Sequence, residues 1–524
     1  MSGPTPPRAA RSLPATPNLE QQKKQARELL DAARSGSATA LARFRIHPRL
    51  TAFSDDELRT HPFSLHEAQL VLAREYGFAT WARLKAHIND GGGARRTRPF
   101  VRELSYYDDR ARGLLTIVPD GVPSALEQVR AWHPRFADAS DDDIRAAGLT
   151  MDDTRLVYAR QHGFASWDAL GAHLADVAAG GTPDPFMAAF EAGKARDWAR
   201  VRALLADHPE LVRARGTNGN TLLGLAGSLV ACPAPNAVAS EPAAAVAKRL
   251  APLALLLSAG ADVNQANDRG WTPLHQAGYR NDSAMAAMLL AAGARVDVEA
   301  HGAGGTPLAA ALFWGHRETA ELLAAAGIHP RNLRVAAGLG RADLVRECFT
   351  VGGHLTPQAM LGRGFYRPHS GFPTWRASDD PQEVLDEALV WAAMSDRVDM
   401  LPLLVERGAR VSADPYRGTP LVRAASTGRV ATVRWLLDHG ADVNQRSTYG
   451  GPHHGLDVTA LHIAAQNDHV DVVRLLVERG ADLEARDALY GGTPARWAEH
   501  DRAMRALAFL SSRAASDEAP MRSS

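Results

Sequence analysis

Apolar positions in the second half of the chain fall into short helical stripes that recur. Thr272, Thr306, Thr419, Thr459 and Thr493 are each followed five residues later by alanine, at 277, 311, 424, 464 and 498. In the first four, leucine sits two residues after the threonine, at 274, 308, 421 and 461. Further on, two apolar residues stand five and four places before a glycine. The sets are Leu255/Leu256/Gly260, Met288/Leu289/Gly293, Leu322/Leu323/Gly327, Leu403/Leu404/Gly408, Trp435/Leu436/Gly440 and Leu475/Leu476/Gly480. Ala-Asp-Val-Asn follows at 261–264 and 441–444, and Ala-Asp-Leu-Glu at 481–484. The pattern predicts a unit of two short helices. Threonine caps the first, and Pro273, Pro307, Pro420 and Pro494 fit its first position, where an N–H would lack a partner anyway. Leucine and alanine form its apolar stripe. The paired apolar residues belong to a second helix, which ends at a glycine expected to be left-handed. The Asp/Asn/Gly-rich stretch then reads as a tight turn or hairpin. Such a unit cannot bury its own apolar face and must stack on its neighbours.

A different duplication occupies the first half. Residues 47–88 align with 133–174 at a constant offset of 86, without gaps, and 18 of the 42 positions are identical. The shared marks include His47-Pro48-Arg49 with His133-Pro134-Arg135, Trp81 with Trp167, and His87 with His173. Ser64-x-x-Glu67 and Thr150-x-x-Asp153 have the spacing of capping boxes. Gly77 and Gly163 would stop those helices, and Thr80 and Ser166 would cap the next. Helices are also expected over 19–34 and 105–116. Each copy therefore reads as a small module of four or five short helices.

The segments GWTPLHQAGYRNDSAMAAMLLAAGARVD (270–297) and DVTALHIAAQNDHVDVVRLLVERGADLEARD (457–487) resemble ankyrin repeats. Weaker units begin near Pro185, Thr221, Asn332 and Leu385, for about nine units in all. The chain thus resembles bacterial ankyrin repeat domain-containing proteins. The fold class this implies is all-α: an ankyrin-repeat α-solenoid with short β-hairpin loops, preceded by two related small helical modules. The expected organisation is a disordered leader at 1–18, module copy 1 at 19–90, a Gly/Arg linker at 91–99 and module copy 2 at 100–177. The array follows at 184–510 and a disordered tail at 511–524. Insertions interrupt the array near 229–247, 352–380 and 447–455, and the unit near 332 reads as lacking its hairpin.

Composition narrows the chemistry. Lys+Arg and Asp+Glu are both 59, so the net charge is zero. That excludes a whole-chain electrostatic role on nucleic acid or anionic membrane. Residues 1–100 carry +7 and residues 101–180 carry −5, which reads as ordinary variation of solvated faces or, alternatively, as modules that dock on each other or prefer different partners. Cys232 and Cys348 exclude a disulfide scaffold and suit a reducing compartment. No run approaches about 20 apolar residues, and no apolar signal segment opens the chain, so a cytoplasmic protein is expected. Asp55-Asp56-Glu57 and Asp141-Asp142-Asp143 follow serines at helix starts, where acids complement the helix dipole. His439, His453, His454, His462 and His469 lie close in sequence, but no pair has metal-ligand spacing on one helix face. Neither a phosphate loop nor a nucleophile elbow appears.

No catalytic residue, metal or cofactor is therefore expected. The resemblance implies non-catalytic protein binding through the concave face of stacked first helices and the loops, by a monomer, without membrane or nucleic-acid partners. Aromatic and arginine side chains dominate binding hot spots. On that ground the candidate contacts are Phe365, Tyr366, Arg367, His369, Phe372, Trp375 and Arg376 in the long insertion. Asp268, Arg269 and Trp271 near a hairpin tip, and Tyr449, His453 and His454 in the last insertion, complete the set. The alternative is an enzyme or small-ligand site in the N-terminal modules or the 352–380 loop.

Overall fold

The computed structural model describes residues 19–76, 81, 84, 97–230, 241–327, 332–364, 377–415, 418–449 and 456–517. The chain divides into two compact units, Met1–Glu191 with Ala214–Gly219, and Ala192–Arg213 with Asn220–Ser524. Both are helical. Among the described residues the β-structure is confined to isolated bridges, Arg98–Gly216, Phe349–Leu355 and Ser447–Val458. Two of these, Phe349–Leu355 and Ser447–Val458, are antiparallel and close loops between helices.

In the first unit the duplicated sequence builds duplicated helices. Leu19–Arg34, Ala38–Phe44, Asp55–Thr60 and Leu65–Glu75 form one set. Leu104–Ile117, Pro123–Trp132, Asp141–Ala146, Met151–Gln161 and Trp167–Ala178 form the other. Ser54, Ser64, Ser140 and Thr150 all close reciprocal capping boxes, with Glu57, Glu67, Asp143 and Asp153. The acidic triplets therefore serve helix starts. Buried positions repeat at the sequence offset: Leu50 with Phe136, Leu58 with Ile144, Val71 with Val157 and Leu84 with Leu170. The His-Pro-Arg turns match as well. His47 Nδ1 accepts the Arg49 N–H at 3.3 Å, and His133 Nδ1 accepts that of Arg135 at 3.2 Å. Gly163 is left-handed, at φ +88°, as its helix stop requires. Trp81 and Trp167 are half-buried against their cores. Gly77, Thr80 and His87 lie outside the described residues.

The second unit opens with the helix Trp198–Asp207 and continues as helix pairs. The pairs are Leu222–Leu229 with Ala243–Ser258, Pro273–Tyr279 with Ser283–Ala291, and Pro307–Phe313 with Arg317–Ala325. Leu333–Leu339 with Ala342–Glu347 and Pro381–Met394 with Met400–Glu406 follow. The last are Pro420–Ser426 with Val430–Asp438, Ala460–Gln466 with Val470–Glu478, and Pro494–His500 with Met504–Asp517. First helices stack on first helices along the array, and second helices meet at Ser283–Ala291 with Arg317–Ala325 and in the run Val430–Asp438, Val470–Glu478 and Met504–Asp517. This is the α-solenoid the periodicity predicts. Thr272, Thr306, Thr419 and Thr493 cap their helices, and the prolines occupy the first turn. From Pro273 onward, each pair turns on a single left-handed residue: Asn281, Gly315, Gly340, Asp396, Gly428, Asp468 and Arg502.

Two expectations need correction. The glycines ending the second helices are left-handed at 260, 293, 408, 440 and 480, but Gly327 is not. At Gly327 a Cβ would come within 2.7 Å of Val296 Cγ2, so close packing sets that glycine. The unit near 332 does have a hairpin turn. Thr350 N–H donates to the His354 carbonyl and Thr356 N–H to the Cys348 carbonyl, both at 2.8 Å, around a left-handed Gly353. Its residues lack the Asp/Asn signature, which is why the pattern did not show it.

Candidate interaction surface

Neighbouring helix pairs are tied by side chains that reach backbone carbonyls. The left-handed residue of each turn sets the register. At four of the turns the residue immediately after it bonds a carbonyl of the preceding pair. His316 Nε2 meets the Tyr279 carbonyl at 3.1 Å, and His469 Nε2 that of Ser426 at 3.2 Å. Arginine takes this place twice: Arg397 Nε donates to the Gly338 carbonyl at 3.1 Å, and Arg429 Nε to that of Met394 at 3.2 Å. Each accepted carbonyl lies two residues before its own left-handed turn.

A second series points forward, from six residues before the turn. His275 Nε2 reaches the Gly305 carbonyl at 2.9 Å and His462 Nε2 that of Gly492 at 3.1 Å. In both, Nδ1 accepts the N–H of the capping threonine at 3.2 Å, which fixes the proton on Nε2. Arg334 holds the same register. Its guanidinium donates to the carbonyls of Arg363 and Gly362 at 3.1 and 3.0 Å. Burial lowers the proton affinity of His275 and His316 to about 4, and lowers that of His462 and His469 also. At neutral pH these histidines are therefore uncharged and donate from Nε2 to the carbonyls they clasp.

On this frame lies a run of half-buried rings. Trp271 stands 6.3 Å from Tyr279, and Tyr279 stands 5.5 Å from Trp314, both edge-on. His301 packs on the far side of Trp271 at 5.2 Å. Trp271 is fixed by its indole N–H, which donates to Gln276 Oε1 at 3.0 Å, and by its backbone N–H on Asn267 Oδ1. Asp268 and Arg269 occupy the exposed turn beside it. The run continues inward through Phe313 to the buried Trp391, on which Arg334 stacks at 4.5 Å. Arg423 lies over both Phe313 and the half-buried Tyr449, at 5.3 Å from each. Arg423 also donates to the Phe313 carbonyl at 3.0 Å, joining the pair at Pro420 directly to the pair at Pro307. Of the candidate contacts, Trp271 and Tyr449 thus belong to ring clusters on the first-helix side. Tyr279, Trp314, Trp391, Arg334 and Arg423 were missed. The signal was present for two of them, since Tyr279 and Trp314 stand where the first helix must turn.

The insertions are held at their stems by arginines. Arg249 pairs with Glu241 at 3.0 Å and with the buried Asp282, while Arg280 bonds the Val230 carbonyl. Arg446 bonds the Asp457 carbonyl at 2.9 Å. Arg363 is the most enclosed, 3 % exposed. It binds Glu387 Oε2 at 2.7 Å, Glu383 Oε1 at 2.5 Å and the Ser378 carbonyl at 2.6 Å. The stem residues Gly362 and Gly364 cross the turn at 302–304 so closely that a Cβ on Gly302 or Gly304 would overlap their carbonyls. Phe365, Tyr366, Arg367, His369, Phe372, Trp375 and Arg376 lie outside the described residues, as do His453 and His454.

Among the described residues no group of three His, Cys, Asp or Glu could hold a metal, and no helix is long and apolar enough to cross a membrane. His439 stacks on Trp435 at 3.8 Å. Burial pushes the Cys348 thiol up to about 11, which suits packing rather than nucleophilic attack.

Comparison with known families agrees with the repeat geometry. Residues 243–333 and 376–447 match the model for ankyrin repeats (3 copies), and residues 421–477 match that for ankyrin repeats (many copies). No curated protein matches the chain.

Proposed function

We propose that this ankyrin-repeat chain is a non-catalytic scaffold that binds a protein partner through the first-helix face and the loops beside it. The observation carrying this reading is the ring run Trp271–Tyr279–Trp314, half-buried across two helix pairs and held by inter-pair clasps. Rings fixed before binding lose little freedom on association, so their buried area converts efficiently to affinity. The arginine-held stems favour the same reading for the insertions, whose candidate contacts are Phe365, Tyr366, Arg367, His369, Phe372, Trp375, Arg376, His453 and His454. The organisation proposed is two helical modules at 19–90 and 100–177 and an array at 184–510. The further parts of this reading are a monomer and a bacterial cytoplasm; the free, buried Cys348 fits a reducing compartment.

Affinity capture from native cytoplasm tests this. Wild type is set beside Trp271→Ala/Trp314→Ala and beside Phe365→Ala/Trp375→Ala, with circular dichroism checking each fold. A protein retained by wild type and reduced at least about tenfold by the folded Trp271→Ala/Trp314→Ala variant is the expected result. Equal recovery by that variant, or no specific protein with wild type, contradicts it.

A further inference from the structure

The inter-pair clasps are not chemically uniform along the array. Between the pair at Pro273 and the pair at Pro307 both clasps are histidines: His275 reaches forward to the Gly305 carbonyl and His316 back to that of Tyr279. Toward the C-terminus, His469 ties the pair at Ala460 back to Ser426, and His462 ties it forward to Gly492. Between these flanks the clasps that form are arginines: Arg334 in the forward position, and Arg397 and Arg429 in the backward one. Arg334 and Arg397 clasp the junction between the pairs at Leu333 and Pro381. Arg429 clasps the next junction, adding a bond to the Gly315 carbonyl at 2.6 Å. We propose that the array is proton-graded: mild acid releases the histidine-clasped junctions on both flanks while the arginine-clasped centre stays closed.

The reason lies in what each clasp does on gaining a proton. A guanidinium is charged throughout the accessible range, so its bond to a carbonyl does not change with pH. A clasp imidazole is neutral when closed. His275 and His462 accept at Nδ1 from a backbone N–H, and a proton there sets two donors against each other. The surroundings offer little compensation. His275 faces the carbonyls of Gly305 and Val298, and His316 faces the Arg429 guanidinium. His462 lies near Asp487 and Arg446, and His469 near Asp468, Arg429 and Arg505. Burial is the largest influence on all four and disfavours the charged form. All four are held below the ordinary imidazole value, so their stabilisation is complete above about 6.5 and is lost as pH falls, toward about 4 for His275 and His316. Carboxylates mostly ionise below this window.

Hydrogen–deuterium exchange on the full chain, resolved by segment and corrected for intrinsic rates, reads this at pH 7 and pH 5. Opening in segment 273–327 is expected to rise by about 20-fold for each of His275 and His316, and opening in segment 460–500 is expected to rise too, while segment 381–438 changes by less than about threefold. His316→Arg and His469→Arg install the side chain used at the equivalent central positions, and each should reduce the acid response of its own flank. Arg429→His should carry an acid response into the centre. A uniform loss of protection, or flanks unchanged at pH 5, overturns the proposal. So does an Arg429→His chain, folded at pH 7, whose centre stays closed at pH 5; this arm decides the matter if the arginine variants do not fold. No partner is involved in any arm, so the outcome is independent of the binding reading.

Discussion

At the residue scale, arginine does work that the repeat pattern assigns to smaller or titratable side chains. Arg334 stands where His275 and His462 stand in their pairs, and its greater length lets it reach two carbonyls of the crossing stem. Glu387 is 1 % exposed and is compensated chiefly by Arg363 at 2.7 Å, with Arg334 farther off at 4.0 Å. Removing one partner of a buried pair leaves the other charge without compensation. Arg363→Met should therefore lower stability by about 3–5 kcal/mol, read as a shifted urea midpoint, and Glu387→Gln in the same chain should recover part of it. Equal midpoints for wild type and Arg363→Met would refute the assigned role. None of this was legible in the sequence, because 363 and 387 lie in different segments and each reads alone as a surface charge.

At the scale of the element, local signals were strong wherever backbone chemistry left one solution. The four carboxylate capping boxes, the threonine caps and the first-turn prolines follow directly from the unpaired N–H groups at a helix start. The left-handed turns were only partly legible. Asn281, Asp396, Asp468 and Arg502 fill a position where glycine is the usual marker, so the turn is conserved in geometry and hidden in composition. Gly304 shows the opposite case, a glycine required both by φ +78° and by the Gly362 carbonyl against it. Gly304→Ala should cost about 1–3 kcal/mol and loosen the stem at 361–364, visible as faster amide exchange there. The same exchange as wild type would show that the crossing is not tight in solution.

At the scale of the molecule, the solenoid could be read from periodicity because each unit contacts mainly its neighbours. The middle of the array departs from that rule. Arg423 and Arg429 reach the carbonyls of Phe313 and Gly315 across two intervening pairs, a long-range closure that no repeat spacing records. The sequence singled out Trp271 and Tyr449 one by one, whereas the ring contact of Tyr279 with Trp314 depends on how two pairs stack and no local pattern records it. The most direct test of the binding account is photo-crosslinking from single positions during partner capture. A crosslinker at Gln276, beside the Trp271 ring, should form a partner adduct, while one at the exposed Arg407, on a second-helix end, should form none. Adducts from Arg407 without any from Gln276 would contradict the account and move the contact to the second-helix side.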